Sequence, residues 1–281
     1  MAIKQPAEIA SAAVASGEAK AHSRWDKVLV ASFLAGAYIA FGGLVSIVVA
    51  AGLDPKMWGG LPTLFNGATF TLGLVLVVIA GSDLLTGNML LVPISAMTGR
   101  VHLGSLGRNF VLVFIGNLAG ALFVAYFLAV QSGVIGHASS GASAGIAYER
   151  LAAVTTLKAI HETDWQIFLR AVGCNWLVCL AVWISLAADS VSGKILGVFF
   201  PIMAFVAMGF DHVVANMFFL PAGIFAGVPG LDWGNAGRNI GFAFLGNLVG
   251  AVIFVALAYW YLYVHGTTPK ESRTATPVVL K

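Results

Sequence analysis

The residues best placed for chemistry lie in two short motifs, 128 positions apart. Gly81, Asp83, Asn88, Met89 and Pro93 recur as Gly209, Asp211, Asn216, Met217 and Pro221. Each motif is set in a long apolar run, where a carboxylate or an amide is costly to bury without partners. Where the first motif has Leu84, the second has His212, an imidazole that titrates near neutrality. A histidine inside an apolar run is a candidate for handling an ion or a proton. A lone one would more simply be a structural side chain bonded to a backbone carbonyl, and its place in a repeated motif tips the balance toward function. The other five histidines, His22, His102, His137, His161 and His265, fall in tails or connections. Cys174 and Cys179 are too far round one helix to meet, which argues for small packing residues rather than a disulfide or metal pair.

Glycine, proline and a carboxylate within an apolar run predict an interrupted helix. Backbone that leaves helical pairing in a membrane is tolerated only where it is buried in protein or lines a cavity. We place the interruptions at Ser82–Asn88 and Phe210–Asn216. The half-helix that follows each presents free N–H groups and a partial positive charge, which favours an anion. Asp83 and Asp211 are expected to cap those half-helices, with Asn88 and Asn216 structural beside them.

The elements that must hold these motifs follow from composition. Of 281 residues, 59% are hydrophobic and only 10% charged, against about 25% charged in a soluble domain. Six apolar runs are long enough to cross a bilayer: 28–51, 61–97, 110–130, 167–187, 195–226 and 240–264. The second and fifth exceed a single crossing and contain the motifs. A second pattern, Gly-Arg-Asn-x4-Phe-x-Gly-Asn-Leu-x-Gly-Ala, begins at Gly107 and again at Gly237, with nine matching positions at an offset of 130. Its Gly116/Gly120 and Gly246/Gly250 pairs allow close helix approach. Each half holds three crossings, so the second half enters the membrane inverted. The expected fold is an all-α membrane protein of six transmembrane helices, an inverted 3+3 repeat with interrupted second and fifth helices. One transmembrane domain covers 28–264, its repeats about 28–130 and 167–264. A cytoplasmic or interfacial segment, 1–27, precedes it and a disordered cytoplasmic tail, 265–281, follows. Ten Lys and Arg fall on the side of both termini and five on the other, which places the termini in the cytoplasm. The net charge of +3 comes without a basic patch, so nucleic acid is not an expected partner. No cofactor or metal motif is present, and the serine-rich stretch Ser139–Ser143 reads as a polar connection rather than an enzyme's nucleophile.

Gly209-Phe-Asp-His-Val-Val-Ala-Asn-Met-Phe-Phe-Leu-Pro221, together with Gly81-Ser-Asp-Leu-Leu-Thr-Gly-Asn-Met89 and the stretch Asn175–Trp183, resembles the formate/nitrite transporter family, nearest its formate branch. The resemblance runs from about Trp25 to Tyr263. It implies an aquaporin-like protomer in a homopentamer of the prokaryotic cytoplasmic membrane, each with its own pore and a central histidine between two apolar constrictions. Carried over by motif, that histidine is His212, with Thr86 and Asn175 as polar neighbours and Lys158 as a vestibule lysine. Phe70 and Phe205 resemble the outer constriction, and Leu74, Leu84 and Leu85 the inner one. Two departures stand out: Asp211 where the family often has Glu, and Leu85 where formate channels often have Phe. The implied substrates are small weak-acid anions, formate first, then nitrite or hydrosulfide, with protons as partners and the lipid bilayer as surroundings.

Overall fold

A computed structural model describes residues 3–266 other than Ala144. The expected tail therefore lies outside the described residues from position 267 onward. Among the described residues every regular element is helical. In chain order these are α1 (Pro6–His22), α2 (Trp25–Ala50), the single turn α3 (Pro55–Trp58), α4 (Leu61–Ala80), α5 (Leu85–Met97), α6 (Leu103–Phe123), α7 (Ile146–Thr156), α8 (Asp164–Ala187), α9 (Val191–Ala207), α10 (Val213–Phe225), α11 (Trp233–Ala251) and α12 (Ala258–Tyr263). Wider π turns extend α6 to Gln131 and α7 to His161, and join α11 to α12. Five segments are long and apolar enough to cross a membrane: Trp25–Ala50, Leu61–Ala80, Leu103–Gln131, Asp164–Ala187 and Trp233–Tyr263.

The two over-long runs are each divided. The first gives α4 and α5, the second α9 and α10. At both divisions a glycine takes the left-handed conformation that favours a residue without Cβ: Gly81 at φ 78° and Gly209 at φ 72°. The non-helical stretches are shorter than Ser82–Asn88 and Phe210–Asn216. Helix resumes at Leu85 and at Val213, so Asn88 and Asn216 lie within helices. The reason is local, since outside side chains satisfy the first free N–H of each new helix.

Small residues set the packing. A Cβ on Gly116 or Gly120 of α6 would collide with Ser32 or Phe33 of α2, and one on Gly246 or Gly250 of α11 would collide with Phe168 or Val172 of α8. These backbones approach as closely as glycine permits, the arrangement expected of helices that cannot gain from hydrophobic burial in lipid. α1 docks in the same manner. Its Gly17 lies against the Leu91 carbonyl of α5, Ser95 Oγ donates to the Val14 carbonyl, and Ile9, Ala10, Ala13 and Val14 are buried.

Gly246→Val places branched carbons against the α8 backbone, and overpacking of this kind costs about 1–3 kcal/mol or more. Thermal unfolding of the purified protein in detergent is expected to shift several degrees downward. An unchanged transition would contradict the close approach.

Candidate functional site

Each division is held by one asparagine from the neighbouring helix. Asn117 of α6 accepts from the Leu85 N–H at 2.9 Å and donates to the carbonyls of Asp83 and Ser32, at 2.9 and 2.8 Å. Asn247 of α11 does the same on the other side: it accepts from the Val213 N–H at 2.9 Å and donates to the carbonyls of Asp211 and Ala171, at 2.9 and 2.8 Å. Both amides are fully buried. Each uses its acceptor and one donor on backbone groups that the interruption would otherwise leave unpaired, and its second donor on a carbonyl of the neighbouring long helix.

A second shared layer ties the divisions to α1 and α7. Asn88 donates to Asn109, which donates to the Lys20 carbonyl. Asn216 donates to Asn239, which donates to the Lys158 carbonyl at 3.0 Å. Lys20 then pairs with Asp83, and Lys158 with Asp211 at 2.9 Å. Hence α1 and the α7 extension hold matching places in the two halves, although their sequences share nothing obvious.

These contacts correct the expectation that Asp83 and Asp211 cap the following half-helices. The capping positions are Leu84 and His212, and the two carboxylates turn toward lysines instead. Lys158, read as a vestibule lysine, has all three ammonium protons engaged. Its Nζ lies 2.9 Å from Asp211 Oδ1, 3.3 Å from the Phe210 carbonyl and 3.5 Å from that of Gly209.

His212 is 2% exposed and fixed at both ring nitrogens. The Ala215 N–H donates to Nδ1 at 3.0 Å, so the ring itself caps α10. A nitrogen that accepts carries no proton. The imidazole is therefore neutral, with its proton on Nε2, which lies 2.8 Å from Thr86 Oγ1 in the other half. A positively charged ring would have to give up the cap. Thr86 is fully buried beside it, and Asn175 donates to Thr86's carbonyl at 3.3 Å, to that of Asn247 at 2.8 Å and to the Met89 sulfur at 3.6 Å, with no hydrogen bond to the ring.

His212 lines a cavity of about 290 Å³. Phe70 and Phe205 line it and meet edge to face, their centroids 5.9 Å apart, and Phe205 is again 5.9 Å from the His212 ring. Leu74, Leu84 and Leu85 are buried and do not line this cavity. Near its wall, just before α8, the buried Glu162 pairs with Arg170, while Arg238 donates to its main-chain carbonyl. Burial first, and then the Asp211 charge, push the Glu162 carboxyl up to about 7.

Sequence reasoning missed Lys20, Asn109, Asn117, Asn239, Asn247 and Glu162. Four of these were visible as repeated asparagines but read as helix packing.

A family model described as formate/nitrite transporter matches residues 7–261, nearly all of this helical chain. The chain belongs to that family. It is similar to a probable formate transporter of Methanothermobacter thermautotrophicus, 48% identical over 93% of this chain and 97% of that protein. It is 39% identical to a formate channel of Bacillus thuringiensis over 94% of this chain and 97% of the other. The nitrite transporter of Salmonella typhimurium is 31% identical over 88% and 85%. A solved structure described as a pentameric formate channel with formate bound superposes with a TM-score of 0.73 at 29% identity, covering 85% of this chain and 97% of that one. Family membership and the apolar helices make this a multi-pass membrane protein.

Within this formate/nitrite transporter, Asn247→Leu orphans two backbone groups at once, the Val213 N–H and the Asp211 carbonyl, each costing about 1–3 kcal/mol when buried unpaired. The variant is expected to lose most of its folded yield in detergent, and Asn117→Leu comparably. Recovery at the native level would contradict the latching role. Glu162 gives a pH test. Its carboxyl is raised from 4.5 to about 7 by folding, so its contribution to stability is full below the unfolded value and lost as pH rises through about 7. The unfolding-temperature advantage of the native protein over Glu162→Gln should shrink across that window. A difference constant with pH would contradict it.

Proposed function

We propose that this chain is a formate channel or transporter, with nitrite and hydrosulfide as lesser substrates of the same pore. In this reading six crossings form an inverted 3+3 repeat, aquaporin-like in outline, and the second and fifth are interrupted at Gly81–Leu84 and Met208–His212. Five copies assemble in a prokaryotic cytoplasmic membrane with both termini inside. Formate is favoured over nitrite because the relatives named for formate are 48% and 39% identical, and the one named for nitrite 31%.

The observation that carries this reading is what lines the cavity: one neutral imidazole, its Nε2–H reaching Thr86 across the two halves, beside the Phe70–Phe205 aromatic pair. Elementary electrostatics supplies the mechanism. A carboxylate drawn between Phe70 and Phe205 loses its water, and desolvation disfavours the charged form, so its affinity for a proton rises. It takes a proton from water at the cavity mouth and crosses the collar as neutral formic acid. His212 Nε2–H then donates to the acid's carbonyl oxygen and the Thr86 hydroxyl accepts from its O–H. Asn175 positions Thr86 by holding its main chain. Beyond Leu74, Leu84 and Leu85 the acid meets water and releases the proton. Because Nδ1 is committed to the helix cap, His212 holds the acid without itself becoming an imidazolium.

His212→Phe removes the donor and the cap, and His212→Asn keeps a capping side chain without the ring. Loss of a hydrogen bond of this kind is worth about tenfold or more in rate. Radiolabelled formate uptake into proteoliposomes should fall at least that far in the Phe variant and less in the Asn variant. Native rates in both would contradict the reading. Size-exclusion with light scattering should return about five times the 29.3 kDa chain mass after detergent correction, and a monomer would contradict the pentamer.

A further inference from the structure

The same cavity contains a cation that no ion pair balances among the described residues. Arg150 lies on α7 eight residues before Lys158, and the face that presents both, with Ala153, Val154 and Leu157 between them, lines the cavity that His212 also lines. Lys158 is fully engaged by Asp211 and two carbonyls. Arg150 is its opposite: among the described residues it has neither a hydrogen bond nor an ion pair, and its Nε is buried without a partner. Burial alone perturbs its guanidinium, in the direction expected of a charge held away from water with no carboxylate opposite. The adjacent Glu149 is exposed and makes no ion pair with it.

We infer that Arg150, rather than Lys158, is the group that first binds the anion, and that it selects planar oxyanions. The inference rests on the reading of this cavity as the entrance of an anion pathway. A guanidinium offers two parallel N–H donors at the spacing of a carboxylate or nitrite, so formate makes two charge-assisted hydrogen bonds where an anion with one acceptor atom, such as hydrosulfide, makes one. An ammonium offers the same charge without the fork. Phe70 of α4 and Phe219 of α10 line the same cavity, and an apolar lining strengthens such bonds. Arg150 would thus collect formate at the mouth and hand it to the aromatic collar, where Lys158 holds the wall together through Asp211.

The test uses the full chain. Saturation-transfer NMR on the single C–H proton of formate reads binding to the detergent-solubilised protein, and proteoliposome flux reads transport of formate and of hydrosulfide. For Arg150→Gln, the half-saturating formate concentration should rise about tenfold or more, the size expected for losing a charge-assisted pair, and the NMR signal should fall with it. For Arg150→Lys, formate should weaken several-fold while hydrosulfide stays near the native value. A native formate response in Arg150→Gln would overturn the site, and one in Arg150→Lys would overturn the fork. Saturation transfer to the native protein without flux would sink the transport reading and leave this site standing. Flux insensitive to either substitution would do the reverse.

Discussion

A backbone that stops being helical inside a membrane protein must find partners for every N–H and C=O it releases, because lipid offers none. In this chain that requirement falls on two buried asparagines. Asn117 and Asn247 each hold the start of one half-helix and the carbonyl just before it, and each also holds a carbonyl of the neighbouring long helix. The tight glycine contacts of α6 on α2 and α11 on α8 serve the same end, since they bring the amide within reach of both backbones. Without these latches the divisions would have unpaired groups in the interior, and the side chains between them would have no fixed direction.

What the latches fix is mostly electrostatic. Asp83 and Asp211 are drawn to lysines of α1 and of the α7 extension, which neutralises both carboxylates and pins two peripheral helices to the centre. The single asymmetric position then matters. At residue 84 the cap is an inert leucine, while at 212 it is an imidazole whose capping bond dictates its tautomer. Fold and site chemistry are therefore one problem here: the hydrogen bond that starts α10 also decides which nitrogen of His212 faces Thr86.

Much of this was legible in the sequence. The repeated motif located both divisions, the glycines before them and the unmatched histidine, and the family resemblance agreed with the match over residues 7–261. The parts that escaped were long-range. Asn117 and Asn247 lie over thirty residues from the backbone they serve, within a pattern that glycine spacing alone explains. Lys20 belongs to a segment set aside as peripheral, and its likeness to Lys158 is one of position, with no shared motif to reveal it. The aspartates looked like caps because they stand near free N–H groups. Only the direction of the turn after Gly81 and Gly209 puts residues 84 and 212 in the capping place. Arg150 drew no notice, since an unpaired cation is recognised only when every possible partner has a position.

In the proposed mechanism the anion crosses the collar uncharged, past an imidazole that stays neutral. Simultaneous recording of membrane current and luminal pH during formate uptake into proteoliposomes tests this most directly. One proton is expected to enter with each formate, with no net current. Formate uptake that carries a current without acidifying the lumen would contradict it.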